Sequence, residues 1–231
     1  MSGFTSVVRE VGKVEFPVFD GTRVMMMPIL LGDISSVPLE HWERTVLDLF
    51  DATPEEHLGE VGYLTIDQKV VEPGKTHRRP GLHVDGVYRG TCGSWGGGGS
   101  WGGGPTPRGG SWGGGGSWGG GAGNGFITAS DRVGCRAWAQ DFQGAPGDEG
   151  ECEHLREQLD PDVEILLAEN TAYWLNPLCV HESLPQVADG HRTFVRLSLP
   201  SSAPWFEGYT ENPVGVMPTG PILARRPFMS F

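Results

Sequence analysis

A mainly β fold is predicted for this 231-residue chain from three features of its sequence. Short β-type runs recur between Gly, Pro, Asn and Asp residues, only one stretch carries a strong helical period, and the spacing of the runs favours a sandwich or small barrel over alternating βαβ units. The helical period comes first. Leu39, Trp42, Val46, Leu47 and Phe50 fall on one stripe after Ser35-Ser36-Val37-Pro38, which predicts a capped amphipathic helix. The β-type runs follow at Val61 to Val71, Gly81 to Val87, Gly134 to Phe142, Val163 to Leu167, Thr171 to Leu175 and Thr193 to Leu199. A shorter helix is expected around Cys152 to Leu159, giving a β core flanked by α-helices.

Length and composition suit one domain over residues 1–231 with room for an embellishment. Acidic residues number 29 against 17 basic ones, a formal charge of -12. A surface of that sign repels phosphate backbones and anionic lipid, so neither nucleic acid nor membrane is an expected partner. Met1-Ser2-Gly3-Phe4 lacks the basic start and apolar middle of a secretory leader, and long apolar runs are absent, which leads to a cytoplasmic expectation. Cys92, Cys135, Cys152 and Cys179 form no C-x-x-C pair, so reduced thiols are expected rather than a disulfide framework or a structural zinc knuckle.

The embellishment is a low-complexity insertion over residues 93–125, which holds 19 of the 37 glycines. Within it the stretch from Ser94-Trp95 to Gly104 recurs from Ser111-Trp112 to Gly121, offset by 17 residues, and marks a tandem duplication. Trp95 and Trp101 are six apart, as are Trp112 and Trp118, so an extended strand or polyproline-like arm would align each pair on one face. Such a block can act as a lid, a substrate platform or a surface for homo-oligomer assembly; a flexible loop is the simpler alternative.

The candidate chemistry starts at His83-Val84-Asp85. A His-x-acid triplet is expected about once by chance at this composition (7 × 29/231), and there are two, the other being His41-Trp42-Glu43. Residues two apart diverge on a helix and share a side of a strand, so only His83 and Asp85 are placed to meet at one ion. His181, beyond the apolar run Thr171 to Leu175, is the candidate third ligand. Two histidines and one carboxylate on one face of an octahedral ion leave three positions open, as suits non-haem Fe(II). If residues 191 to 199 form a strand, Thr193, Val195, Leu197 and Leu199 face one way, and Arg192, Phe194, Arg196 and Ser198 the other. Two guanidinium groups facing an enclosed interior are costly without an anionic partner, and their planar forks match a carboxylate.

This order of residues resembles the 2-oxoglutarate and Fe(II)-dependent dioxygenases over about Tyr63 to Leu199. The resemblance implies a double-stranded β-helix, the jelly roll of the cupins, with Fe(II) held by His83, Asp85 and His181. It also implies that Arg196, paired with Ser198, grips the distal carboxylate of 2-oxoglutarate, with Arg192 at the chelating end or in its place. Tyr63 or Thr65 would complete that site through a hydroxyl. The implied reaction is hydroxylation of a small molecule or peptide, with release of succinate and carbon dioxide. Two rival expectations are a cupin-like binding protein without oxygenase activity and a structural protein that assembles through its Gly/Trp arms.

Overall fold

The structure is a computed structural model describing residues 3–85, 125–148, 150–200, 205–220 and 222–223. Its strands are β1 (Gly3–Thr5), β2 (Val8–Lys13), β3 (Arg23–Leu30), β4 (Val61–Val71), β5 (Phe126–Ser130), β6 (Cys135–Trp138), β7 (Asp141–Gln143), β8 (Glu164–Leu166), β9 (Thr171–Leu175), β10 (Val180–Ser183), β11 (Gly190–Ser198), β12 (Trp205–Phe206) and β13 (Ile222–Leu223). The fold is mainly β, as expected. Both principal sheets are antiparallel: one of six strands in the order β2-β9-β5-β11-β4-β3, and one of three in the order β10-β6-β8.

The six-stranded sheet has two different faces because side chains alternate along each strand. Leu64 and Ile66 on β4, Ile127 and Ala129 on β5, and Val195 and Leu197 on β11 enter one apolar core. The only α-helix among the described residues, α1 (Glu43–Asp51), closes that core with Val46, Leu49 and Phe50. The opposite face carries Thr65, Asp67, Phe126, Thr128, Arg192, Phe194 and Arg196, brought side by side by the registers Arg196↔Thr65, Arg196↔Thr128 and Phe194↔Asp67. The split predicted for residues 191 to 199 is therefore present, with the arginines turned away from the helix.

Several local expectations are corrected. The early helix begins one turn late: Glu40–Trp42 is a 3-10 turn, and α1 starts at Glu43 without a side-chain cap. Ser36 is buried instead, accepting from the Leu30 amide and donating to the Asp33 carbonyl. Leu49 takes the core position expected of Leu47, which is 36% exposed. The segment around Cys152 to Leu159 is a 3-10 helix over Glu153–Gln158, so flanking α-helices reduce to one among the described residues. Gly134 to Phe142 divides into β6 and β7. The run expected from Gly81 to Val87 is no strand over its described part, residues 81–85, where His83 makes only isolated bridges to His181 and Glu151. Of the insertion expected over 93–125, all but Gly125 lies outside the described residues. No helix among the described residues is long and apolar enough to cross a membrane.

Candidate metal centre and anion pocket

Leu82 and Val84 are buried against Trp138, Phe142 and Leu155 on the outer side of the small sheet. Alternation then turns His83 and Asp85 inward, so the placement expected of a strand is reached by one extended stretch. His181 comes from β10, and its backbone faces that of His83: His83 N donates to the His181 carbonyl at 3.0 Å, and His181 N to the His83 carbonyl at 2.9 Å. The two rings start from directly paired residues, with centroids 4.3 Å apart.

Each imidazole is oriented by a carbonyl two residues back. Nδ1 of His83 lies 2.7 Å from the Gly81 oxygen, and Nδ1 of His181 lies 2.9 Å from the Cys179 oxygen. A carbonyl only accepts, so Nδ1 carries the hydrogen and the Nε2 lone pair is left for an ion. His83 Nε2 lies 4.0 Å from Asp85 Oδ1, and His181 Nε2 lies 3.9 Å from Asp85 Oδ2. One ligand atom from each of the three residues falls within 4.8 Å of the other two, and all three side chains are buried. This donor set can hold a divalent metal ion. Burial and the adjacent His181 push His83 down to about 3, leaving it neutral. Burial alone would raise the Asp85 carboxyl, but Arg196 and the two histidines hold it down at about 2.

Arg196 and Arg192 have different surroundings. Nη1 of Arg196 donates to Asp85 Oδ2 at 2.8 Å, both side chains being buried. Arg192 is only 1% exposed; Nη2 reaches the Ser130 hydroxyl at 3.3 Å, while Nε and Nη1 have no hydrogen-bond partner among the described residues. Its guanidinium fills the space where Gly134 has no side chain, since a Cβ added there would overlap it. Burial lowers the guanidinium from its ordinary range. Both arginines line one pocket together with His83, Asp85 and His181.

The remaining expected residues are placed elsewhere. Tyr63 packs with Met26 and Phe206 in a separate apolar cluster, and Ser198, fully buried, pairs with Tyr63 on one side and Phe126 on the other. Neither lines the pocket. The Thr65 hydroxyl accepts from the Met26 amide at 3.3 Å, in the β-bulge where β3 shifts register.

A second buried cluster was not anticipated. Asp67, wholly buried on β4, faces His77 Nε2 at 3.1 Å, Arg23 Nε at 3.2 Å, Arg78 Nη1 at 3.4 Å and Lys69 Nζ at 3.7 Å. The signal was present: a carboxylate amid the apolar run of β4, on the same alternating side as Thr65. Arg78 continues from this cluster into the pocket, with its guanidinium carbon 4.9 Å from the Phe194 ring centre.

Comparison of the chain with protein-family models, curated proteins and solved structures gave no match.

Proposed function

We propose that this protein is an Fe(II)- and 2-oxoglutarate-dependent dioxygenase that hydroxylates an organic substrate, releasing succinate and carbon dioxide. The observation that carries the reading is the buried, incompletely paired Arg192 guanidinium in the same pocket as the His83–Asp85–His181 donor set. The residues fit these groups: two imidazole Nε2 atoms and a carboxylate suit a ferrous ion with open positions, and unsatisfied guanidinium hydrogens suit a carboxylate. The same reading takes the two antiparallel sheets as a double-stranded β-helix with the metal between them.

Bound iron would supply the oxygen chemistry; the chain's own residues bind, orient and shield. Arg192 takes the distal carboxylate, because Arg196 is committed to Asp85. Arg196 keeps Asp85 ionised and occupies Oδ2, so that Oδ1 is presented to the ion. The Gly81 and Cys179 carbonyls hold both rings with Nε2 inward, and Phe126, Phe194 and Leu175 limit water around the reacting centre.

The test is anaerobic addition of Fe(II) and 2-oxoglutarate. A weak visible charge-transfer band is expected, with slow succinate formation once oxygen is admitted, and both should be lost in His83→Ala. Absence of band and succinate from the wild-type protein would overturn the reading and leave a cupin-like binding protein.

A further inference from the structure

Each metal-facing ring is oriented by a peptide carbonyl, and the amide end of the same peptide is held as well. The Gly81 carbonyl that accepts from Nδ1 of His83 shares its plane with the Leu82 amide, which donates to Glu153 Oε2 at 3.1 Å. The Cys179 carbonyl that accepts from Nδ1 of His181 shares its plane with the Val180 amide, which donates to the Ser6 hydroxyl at 2.9 Å. A peptide plane turns as a unit, so a side chain that fixes its N–H also fixes the direction of its C=O. Such a bond polarises the peptide too, making the carbonyl a stronger acceptor for the ring and the ring a better metal donor.

The restraint matters most before His83. Gly81 has a φ of +76°, and with no Cβ it leaves the plane that follows it free to rotate. His83 itself lies in no strand and is joined to β10 by an isolated bridge. Glu153 can steady this peptide because it is steadied in turn. Arg156 forks onto its carboxylate, Nε to Oε1 and Nη2 to Oε2, and Nη2 also reaches Glu182 Oε2 at 2.7 Å, one residue from His181. Arg156 and the Leu82 amide hold the Glu153 carboxyl at about 2, so it accepts as an anion. Ser6 is 1% exposed; its hydroxyl donates to the Trp138 carbonyl and keeps a lone pair for Val180.

We infer that Glu153 and Ser6 are positioning residues of this centre, Glu153 for His83 and Ser6 for His181, each acting through one peptide group. The inference rests on the reading of His83 and His181 as metal ligands, and it adds two residues that lie outside the pocket lining.

The test compares the ring protons of the two histidines in metal-free protein carrying 15N-labelled imidazoles. Each Nδ1–H on its carbonyl should give a downfield resonance, that of His83 being the one lost in His83→Ala. Glu153→Ala is expected to shift or broaden the His83 signal and spare that of His181, and Ser6→Ala to do the reverse. Glu153→Gln, which keeps an oxygen for the Leu82 amide, should restore most of the His83 signal. Mn(II) affinity should fall about tenfold in each alanine variant, the low end of the cost of losing an outer-shell partner. Arg136→Met removes the other guanidinium from Glu182 without touching either peptide, so it should change neither ring signal nor Mn(II) affinity. A melting curve for each variant checks its folding. Ring signals missing from the wild-type protein, unchanged in both alanine variants or moved together in each, overturn the inference, as does unaltered Mn(II) affinity in both. A wild-type protein that binds no Mn(II) removes the metal-centre reading instead, and the pattern of ring signals alone then decides the inference.

Discussion

At the residue scale the two arginines of β11 make opposite predictions. Arg192 is a buried cation with unsatisfied donors, so replacing it with Met removes a desolvation cost and should raise the ligand-free thermal midpoint, by at least about 1 kcal/mol in stability. The same variant should bind 2-oxoglutarate about a hundredfold more weakly, since charged hydrogen bonds contribute about 1.5–3 kcal/mol each. Arg196→Met strands the buried Asp85 carboxylate and should cost about 3–5 kcal/mol in metal-free protein, with much of the loss recovered on adding a divalent cation. Denaturant titration with and without Mn(II) measures both. The candidate set His83, Asp85 and His181 was legible in the sequence because residues two apart share a side of an extended chain and diverge on a helix, which separated His83-Val84-Asp85 from His41-Trp42-Glu43. The division of labour between Arg192 and Arg196 was not, because it depends on which guanidinium Asp85 reaches across 111 residues of chain.

At the scale of elements, β4 and β9 were read to the residue, while β11 begins at Gly190, three residues before the expected start at Thr193, and ends at Ser198; long apolar or alternating runs are decided locally. The edge strand β3 escaped because Pro28 argues against a strand interior, and because a bulge at positive-φ Met26 breaks its period. His83 and Asp85 needed no strand of their own; the hydrogen-bonded bridge to β10 sufficed. Between β4 and that bridge, Asp67 pins the loop bearing His77 and Arg78 onto the sheet. Asp67→Asn should leave Arg23, Lys69 and Arg78 mutually repelling, costing about 3–5 kcal/mol and lowering the affinity for Mn(II) as the loop loosens ahead of His83. At β6, Gly134→Ala should push the Arg192 guanidinium from its cradle and weaken 2-oxoglutarate binding, with Mn(II) affinity unchanged. Isothermal titration separates the two outcomes.

For the whole molecule, the buried titratable groups make acid the vulnerable direction. Burial lowers His77 from 6.5 to about 4, despite the carboxylate of Asp67 beside it. The unfolded chain therefore takes up this proton first, so the stability associated with a neutral His77 is full above pH 6.5 and declines as pH falls toward 4. Asp67 is held down at about 2 from 3.8 by His77, Arg78 and Lys69 against its own burial, so its contribution is full above 3.8 and is lost as pH falls toward 2. Thermal midpoints of chelator-treated protein should decline in two successive stages on acidification, and His77→Gln should reduce the upper one, which His77 shares with the buried His83, lowered from 6.5 to about 3.

The central position of β11 links architecture and chemistry more tightly than either alone would require. Its neighbours β4 and β5 hold it on both edges, with aliphatic side chains toward the helix and guanidinium groups toward the pocket. A single inserted or deleted residue within it would exchange the two sets, driving cations into hydrocarbon and hydrocarbon into the binding cavity. Length variation along this lineage should accordingly accumulate in the connecting loops and spare residues 190 to 198, so that folding yield in an insertion scan and ligand capture fail at the same positions.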